Sequence, residues 1–346
     1  WLGIDRERFS PGVREMCCRE ALHSSFQVSQ QNLQRMAQLS LSSGTIRTIV
    51  QSQGRAALAA QRRGELRPGF TAADCTDQTM ISGADGVMVP LVTEAQKHQR
   101  RATEAAKRQA QGRPSTARAG RPKRGADHGY KEFKAVTFYD PDKRHCHMAC
   151  TAGDHRALGR LMRREGCRLQ FGQARTKYAV TDGAPWIAKQ YRRNLPMIDE
   201  HILDYYHLRQ HVIAASHVLY EEGSAKANGW VEDMMGYVWQ QGALVMLDRL
   251  RPYLQRHRKG PRREALRSLR DYVAKRVAMT DYPGFRQLGY DCGSGPTESA
   301  CGRLTARLKG PGMRWDADNA EAMTALAALQ QSNLWDTHWR SQRQAA

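Results

Sequence analysis

The sequence predicts an α/β fold, a mixed sheet flanked by helices on both faces, with an all-helical stretch before the closing helices. Three observations predict it. Short runs rich in Val, Ile, Tyr and Phe occur at 79–92, 133–140 and 177–184, and RHCHMACTA at 144–152 follows the second across a turn, the pattern of strands. Segments with apolar residues at helical spacing alternate with the later runs, as in sheets covered by helices. From 208 to about 285 strand signals vanish altogether.

Taken in order, the chain opens with helices. Ser10 and Pro11 mark a helix start before GVREMCCREALHSS. Ser29 is placed to cap QQNLQRMA, and Ser42 or Ser43 to cap GTIRTIVQSQGRAALAAQ. A short helix, a tight turn and a longer helix with Arg47 exposed make a helix-turn-helix pattern; a plain helical packing module is the other reading. TMISGADGVMVPLV reads as a strand. Residues 97–124 then hold ten Lys and Arg against one acid, Glu104. Such a segment cannot bury a core, so a disordered basic linker able to grip phosphates is expected there. FKAVTFYD, a turn at Pro141-Asp142, and RHCHMACTA form a hairpin. DHRALGRLMRREGC is a helix capped by Asp154. KYAVTDGA is a strand, PWIAKQYRRN a helix with proline first, and MIDEHILDYYH starts as a strand and turns helical. GPTESACGRLTARLK and DNAEAMTALAALQQSNLW close the chain as helices, with Asp318 and Glu321 fitting a capping box.

The expected division is a helical, helix-turn-helix-like module at 1–70, a catalytic domain at 71–94 and 129–207, the basic linker at 95–128, an all-helical insertion at 208–286, and closing catalytic helices at 287–346. The chain begins with Trp1, so a true start upstream is expected.

Across 346 residues Lys and Arg outnumber Asp and Glu by 54 to 34, a net charge of +20. That balance favours a polyanionic partner, because each cation docked on a phosphate releases condensed counterions. The eight cysteines form no CxxC pair, which fits reduced thiols in a cytoplasmic protein. No apolar run approaches the roughly 20 residues of a membrane span. There is no phosphate-binding GxxxxGK[ST] loop, so ATP-driven action is not supported. His145, Cys146, His147 and Cys150 divide between the two faces of a strand and cannot close a four-ligand metal site by themselves.

The chemistry concentrates in three acids: Asp85 in ISGADGVMVPLV, Asp182 in KYAVTDGAPWI and Glu298 in GSGPTESACGRL. Cleaving a phosphodiester requires an activated nucleophile, a stabilised leaving oxygen and neutralised phosphate charge, and two metal ions supply all three. Mg²⁺ keeps several waters, so a few carboxylates on rigid elements suffice. Each acid also has a plainer reading. Asp-Gly at 85 and 182 is a turn signal, and an acid in a helix's first turn is favoured by the helix dipole.

The motifs ADGV, TDGAPWI, ILDYYHLRQHV, GSGPTESA and GMRWDADNAEAM resemble those of bacterial insertion-sequence transposases of the ISKra group, relatives of Mutator-like transposases of the Asp-Asp-Glu class. The resemblance runs from about residue 25 to 340. It implies a ribonuclease-H-like fold with a helical insertion, and a DNA transposase that cuts transposon ends and joins them to target DNA. It also implies Asp85, Asp182 and Glu298 as ligands of Mg²⁺ or Mn²⁺, with two ions expected. Asp204 and His207 match an Asp-x-x-His element that supports such a site, and Asp204 competes with Asp182 as second ligand. Arg303 and Arg307 are expected to reach DNA phosphates, or else to form the solvated face of their helix. Partners would be double-stranded DNA and further copies of the chain on it, in a nucleoid-associated setting. The upstream cysteine pairs that such relatives often carry are missing here. A ribonuclease-H-like nuclease without strand transfer, and a non-catalytic DNA-binding remnant, are the rival expectations.

Overall fold

The computed structural model describes residues 9–113 and 123–344. The elements, in order, are α1 (Pro11–His23), α2 (Phe26–Ala37), α3 (Ser43–Arg63), β1 (Thr79–Pro90), α4 (Glu94–Ala110), β2 (Tyr130–Tyr139), β3 (Cys146–Thr151), α5 (His155–Arg168), β4 (Thr176–Thr181), α6 (Pro185–Asn194), β5 (Glu200–Leu203), α7 (Tyr205–Leu219), α8 (Ala225–Gln241), α9 (Ala243–Arg256), α10 (Pro261–Ala274), α11 (Tyr282–Gln287), α12 (Gly295–Leu308), α13 (Ala317–Gln331) and α14 (Trp335–Gln344). The α/β expectation holds: five strands form one mixed open sheet in the order β3-β2-β1-β4-β5. β1 pairs antiparallel with β2, and β2 with β3. β1 pairs parallel with β4, and β4 with β5.

β1 is central and buried on both faces, which explains its near-continuous apolar run. Met80 and Ala84 face a core completed by Leu158 and Met162 of α5 and Ile187 and Tyr191 of α6. On the other face, Val87 and Val89 pack against α1, α3, α12 and α13. Ile81 on that same face joins Tyr178 and Val180 of β4 under the helices α7 to α11. That helical stretch, without strands between Tyr205 and Gln287, therefore shares its core with the sheet.

Several local readings change. α2 starts at Phe26, because Ser25 rather than Ser29 accepts from the first-turn amide of Val28; the Ser29 hydroxyl instead donates to the Ser25 carbonyl inside the helix. The expected disordered linker is helical over its first part. α4 buries no residue, so tertiary packing does not hold it. A capping box between Thr93 and Gln96 starts it, its Ala-rich sequence favours it, and Lys97 and Arg101 tie it to the carbonyls of Lys123 and Arg124. The rest of the basic segment, 114–122 with Arg118 and Arg121, lies outside the described residues. Asp318 and Glu321 form no capping box, since Asp316 is the N-cap of α13. Glu321 reaches instead to Arg62 and to the backbone amide of Ala152 after β3.

His147 is spent on structure. It bonds Glu165 at 3.1 Å, and Arg164 and Arg168 close around the same buried carboxylate. His145 stacks on Phe70. Cys17 and Cys18 are fully buried, and every described cysteine is free. Among the described residues no helix is long and apolar enough to cross a membrane.

Candidate functional site

Asp85 sits within β1 and does not mark a turn. β1 and β4 run in register from Thr79↔Thr176 to Ser82↔Ala179. Carrying that register three residues further along both strands brings Asp85 level with Asp182, just past the end of β4. Side chains alternate along a strand, so Asp85 shares the face of Ile81, and Asp182 that of Tyr178 and Val180. These belong to one core, which puts both aspartates on the same side of the sheet.

The third acid arrives through a close crossing. Gly83, on the face of Asp85, is where the first turn of α12 meets β1. A Cβ on Gly83 would run into Thr297 Oγ1 and stand 3.0 Å from Thr297 Cβ. Thr297 is buried and bonds Thr137 Oγ1 of β2 at 2.7 Å. Only a residue without a side chain lets α12 approach this far, and Glu298 is the next residue after the contact. Gly83→Ala is expected to lift α12 and move Glu298. Were Glu298 a catalytic group, a displacement near 1 Å would cost about 10²-fold in rate. Thr297→Ala in the same chain should recover part of the loss; activity equal to wild type in the single variant would refute the account.

Charge ties the acids together. Burial, and then the Asp182 charge, push the Asp85 carboxyl above its ordinary value, against donation from the Gly86 amide and the Cys301 thiol. Glu298 is raised by burial, by Asp204 and by Asp85, while Ser294 and His207 act the other way. Asp182 Oδ1 accepts from the Ala184 amide at 2.8 Å.

Asp204 has a different place. It is 1 % exposed and caps α7, with Oδ1 accepting from His207 N at 2.7 Å. Its Oδ2 accepts from the amide of Ser294, the N-cap residue of α12. One carboxylate thus joins the helix leaving β5 to the helix carrying Glu298. Both its oxygens are engaged by backbone, whereas Asp182 is half-buried and is the strongest charge acting on Asp85.

A second set of side chains reaches the site from the helical stretch. Tyr272 of α10 donates to the Asp182 carbonyl at 3.0 Å. Arg276 donates through Nε to the Gly183 carbonyl at 2.9 Å and stacks on the Tyr272 ring at 3.8 Å. Gly183 has φ +71°, and a Cβ there would collide with Arg276 and Leu203. The turn after Asp182 is therefore clamped from above. His211 stacks on Tyr272 at 3.8 Å and meets His207 edge-on at 5.1 Å. Burial, then His207 and Arg276, hold the His211 imidazole below its usual value.

The arginines separate. Arg47 and Arg303 are exposed, and Arg303 lies across Ser299 and Gln331. Arg307 is not on a solvated face. It is 6 % exposed, under α1 and against the rings of Phe26 and Trp315. It donates to the Ala21 carbonyl. Burial lowers its guanidinium to about 10.

Among the described residues no three His, Cys, Asp or Glu side chains come close enough to enclose an ion by themselves. Mg²⁺ is commonly held by one or two carboxylates, waters and substrate phosphate oxygens. Two acids raised by burial and by neighbouring carboxylates, Asp85 by Asp182 and Glu298 by Asp204 and Asp85, suit such a hard cation, which would relieve that repulsion. The chain matches no protein-family model and no curated protein.

Proposed function

We propose that the chain is a divalent-metal-dependent DNA transposase on a ribonuclease-H-like sheet. One observation carries the reading: the charge of Asp182 at the end of β4 acts on Asp85 in mid-β1, and that of Asp85 acts on Glu298 in the first turn of α12, in a chain of net charge +20. The strand order β3-β2-β1-β4-β5 and a helical stretch between β5 and α12 support it, as does the motif resemblance.

Asp85, Asp182 and Glu298 would hold Mg²⁺ or Mn²⁺. Two ions bound there would lower the pKa of the attacking hydroxyl, stabilise the leaving 3′-oxygen and offset the phosphate charge. Asp204 orients α7 and α12 relative to each other. Tyr272 and Arg276 hold the backbone that presents Asp182. Arg303, exposed on α12, would meet a DNA phosphate. In the first reaction water attacks phosphorus and the strand leaves with a 3′-hydroxyl. In the second that hydroxyl attacks a target phosphodiester, and the target's own 3′-oxygen departs.

The test is a strand-transfer assay with labelled element ends, plasmid target and Mg²⁺ or Mn²⁺. Joined products support the proposal. Nicks without joined products favour a nuclease, and metal-independent binding without cleavage leaves a DNA-binding remnant.

A further inference from the structure

Away from the acids, a cavity of about 370 Å³ opens where the N-terminal helices, α4 and the loop after α12 meet. Its walls divide in two. Phe26, Val92, Met313 and Trp315 supply an apolar side. Arg47, Arg100 and Arg314 line it as exposed cations. Lys97 also lines it but is already paired with Asp316 at 2.6 Å. At depth lies Arg307, whose Nη2 is buried and has no hydrogen-bond partner. Its hydrogen bonds go to the Ala21 carbonyl and the Met313 sulfur. Native proteins seldom leave a buried charged donor unsatisfied, and no carboxylate here answers it.

We propose that this cavity receives one unpaired nucleotide of the bound DNA, with its base against the apolar wall and its flanking phosphates on the exposed arginines. The inference rests on the DNA-binding reading above. A nucleotide meets each feature in turn. Its volume suits a cavity at the lower end of the usual ligand-site range of about 300–1,000 Å³. Its base carries ring and carbonyl acceptors for Arg307 Nη2. Its backbone answers Arg47, Arg100 and Arg314. A small anion would leave the apolar wall bare, and a purely apolar ligand would leave Nη2 unpaired. Arg307 lies nine residues beyond Glu298 on α12, so the cavity is about 14 Å along the helix from the carboxylates. At roughly 3.4 Å per nucleotide, that is on the order of four base steps from the scissile bond.

Three probes test it by fluorescence anisotropy: a fully paired hairpin, the same hairpin with one unpaired thymidine, and that hairpin with an abasic residue in its place. The last two carry the same phosphates, so their difference reads the base alone. Stacking and hydrogen bonding of a base predict binding tighter than the abasic probe by about 10-fold or more. Arg307→Met should remove that preference. Gln51→Trp, at a half-buried lining position, should fill the cavity and remove it too while leaving affinity for the paired hairpin within about twofold. Equal affinity of wild type for the thymidine and abasic probes overturns the nucleotide cavity alone. Failure to bind any of the three overturns the DNA-binding reading with it.

Discussion

Asp85→Asn is expected to lower metal-dependent strand cleavage by about 10³-fold or more, the scale on which loss of one preorganised electrostatic group acts. The same substitution should raise the melting temperature of the metal-free protein. Asp85 is a buried carboxylate beside Asp182 with its folded value raised, and Glu298 is raised as well. The sign follows from linkage. A carboxyl with a raised folded value binds more protons folded than unfolded, so its contribution to stability is full below the unfolded value, near 4, and is lost as pH rises through the folded one. In EDTA the wild type should therefore lose stability relative to Asp85→Asn as pH climbs from about 4 towards neutrality. Mg²⁺ should reverse the difference, because a ligand bound only by the folded state stabilises it in proportion to the logarithm of its concentration. Thermal scans of both proteins, with EDTA and with Mg²⁺ across pH, check this without any cleavage assay. A variant that cleaves normally, or that gains the same stability from Mg²⁺ as wild type, would sink the metal site.

Asp204→Ala should be the more damaging change to the fold, by roughly 2–4 kcal/mol. It removes the cap of α7, a part-buried bond to the His207 amide worth about 1 kcal/mol, and strands the buried amide donor of Ser294, costing about 1–3 kcal/mol. Asp204→Asn separates roles. Asparagine keeps one carbonyl oxygen, enough to cap α7, and turns the other acceptor into a donor facing the Ser294 amide. It should cost less stability than alanine yet shift the start of α12, and with it Glu298. Chemical denaturation of both variants gives the comparison. If Asp204→Ala unfolds with wild-type stability but loses Mg²⁺-induced stabilisation, Asp204 is a ligand in its own right and its place as a clamp falls.

The readable part of this protein was local. The strands β1 to β4 and helices α5, α6 and α12 announced themselves through apolar period, a capping aspartate at 154 and prolines at helix starts, all short-range signals. α4 escaped because its charge content suggested a solvated coil, while its capping box at Thr93 and Gln96 and its alanines carried the helix without burial. The burial of Arg307 escaped for the opposite reason. Helical spacing gives a residue's face but not which neighbour covers that face, and α1, with Phe26 beyond it, lies far away in the chain.

By itself the sequence determined the α/β composition, the helical stretch after β5, and the placing of Asp85 on a strand, Asp182 at a strand end and Glu298 in a helix's first turn. These follow from residue types within a few positions of one another. Only the tertiary structure decided that β1 and β4 bring Asp85 and Asp182 level, and that Gly83 admits α12 beside them. It also showed Asp204 bonding the amides of His207 and Ser294, and so linking two helices. Tyr272 and Arg276 had no signal at all, since their bonds to Asp182 and Gly183 span some 90 residues of chain. Such contacts are fixed by sheet register and by which surfaces can approach closely, and neither is written in any single stretch of sequence.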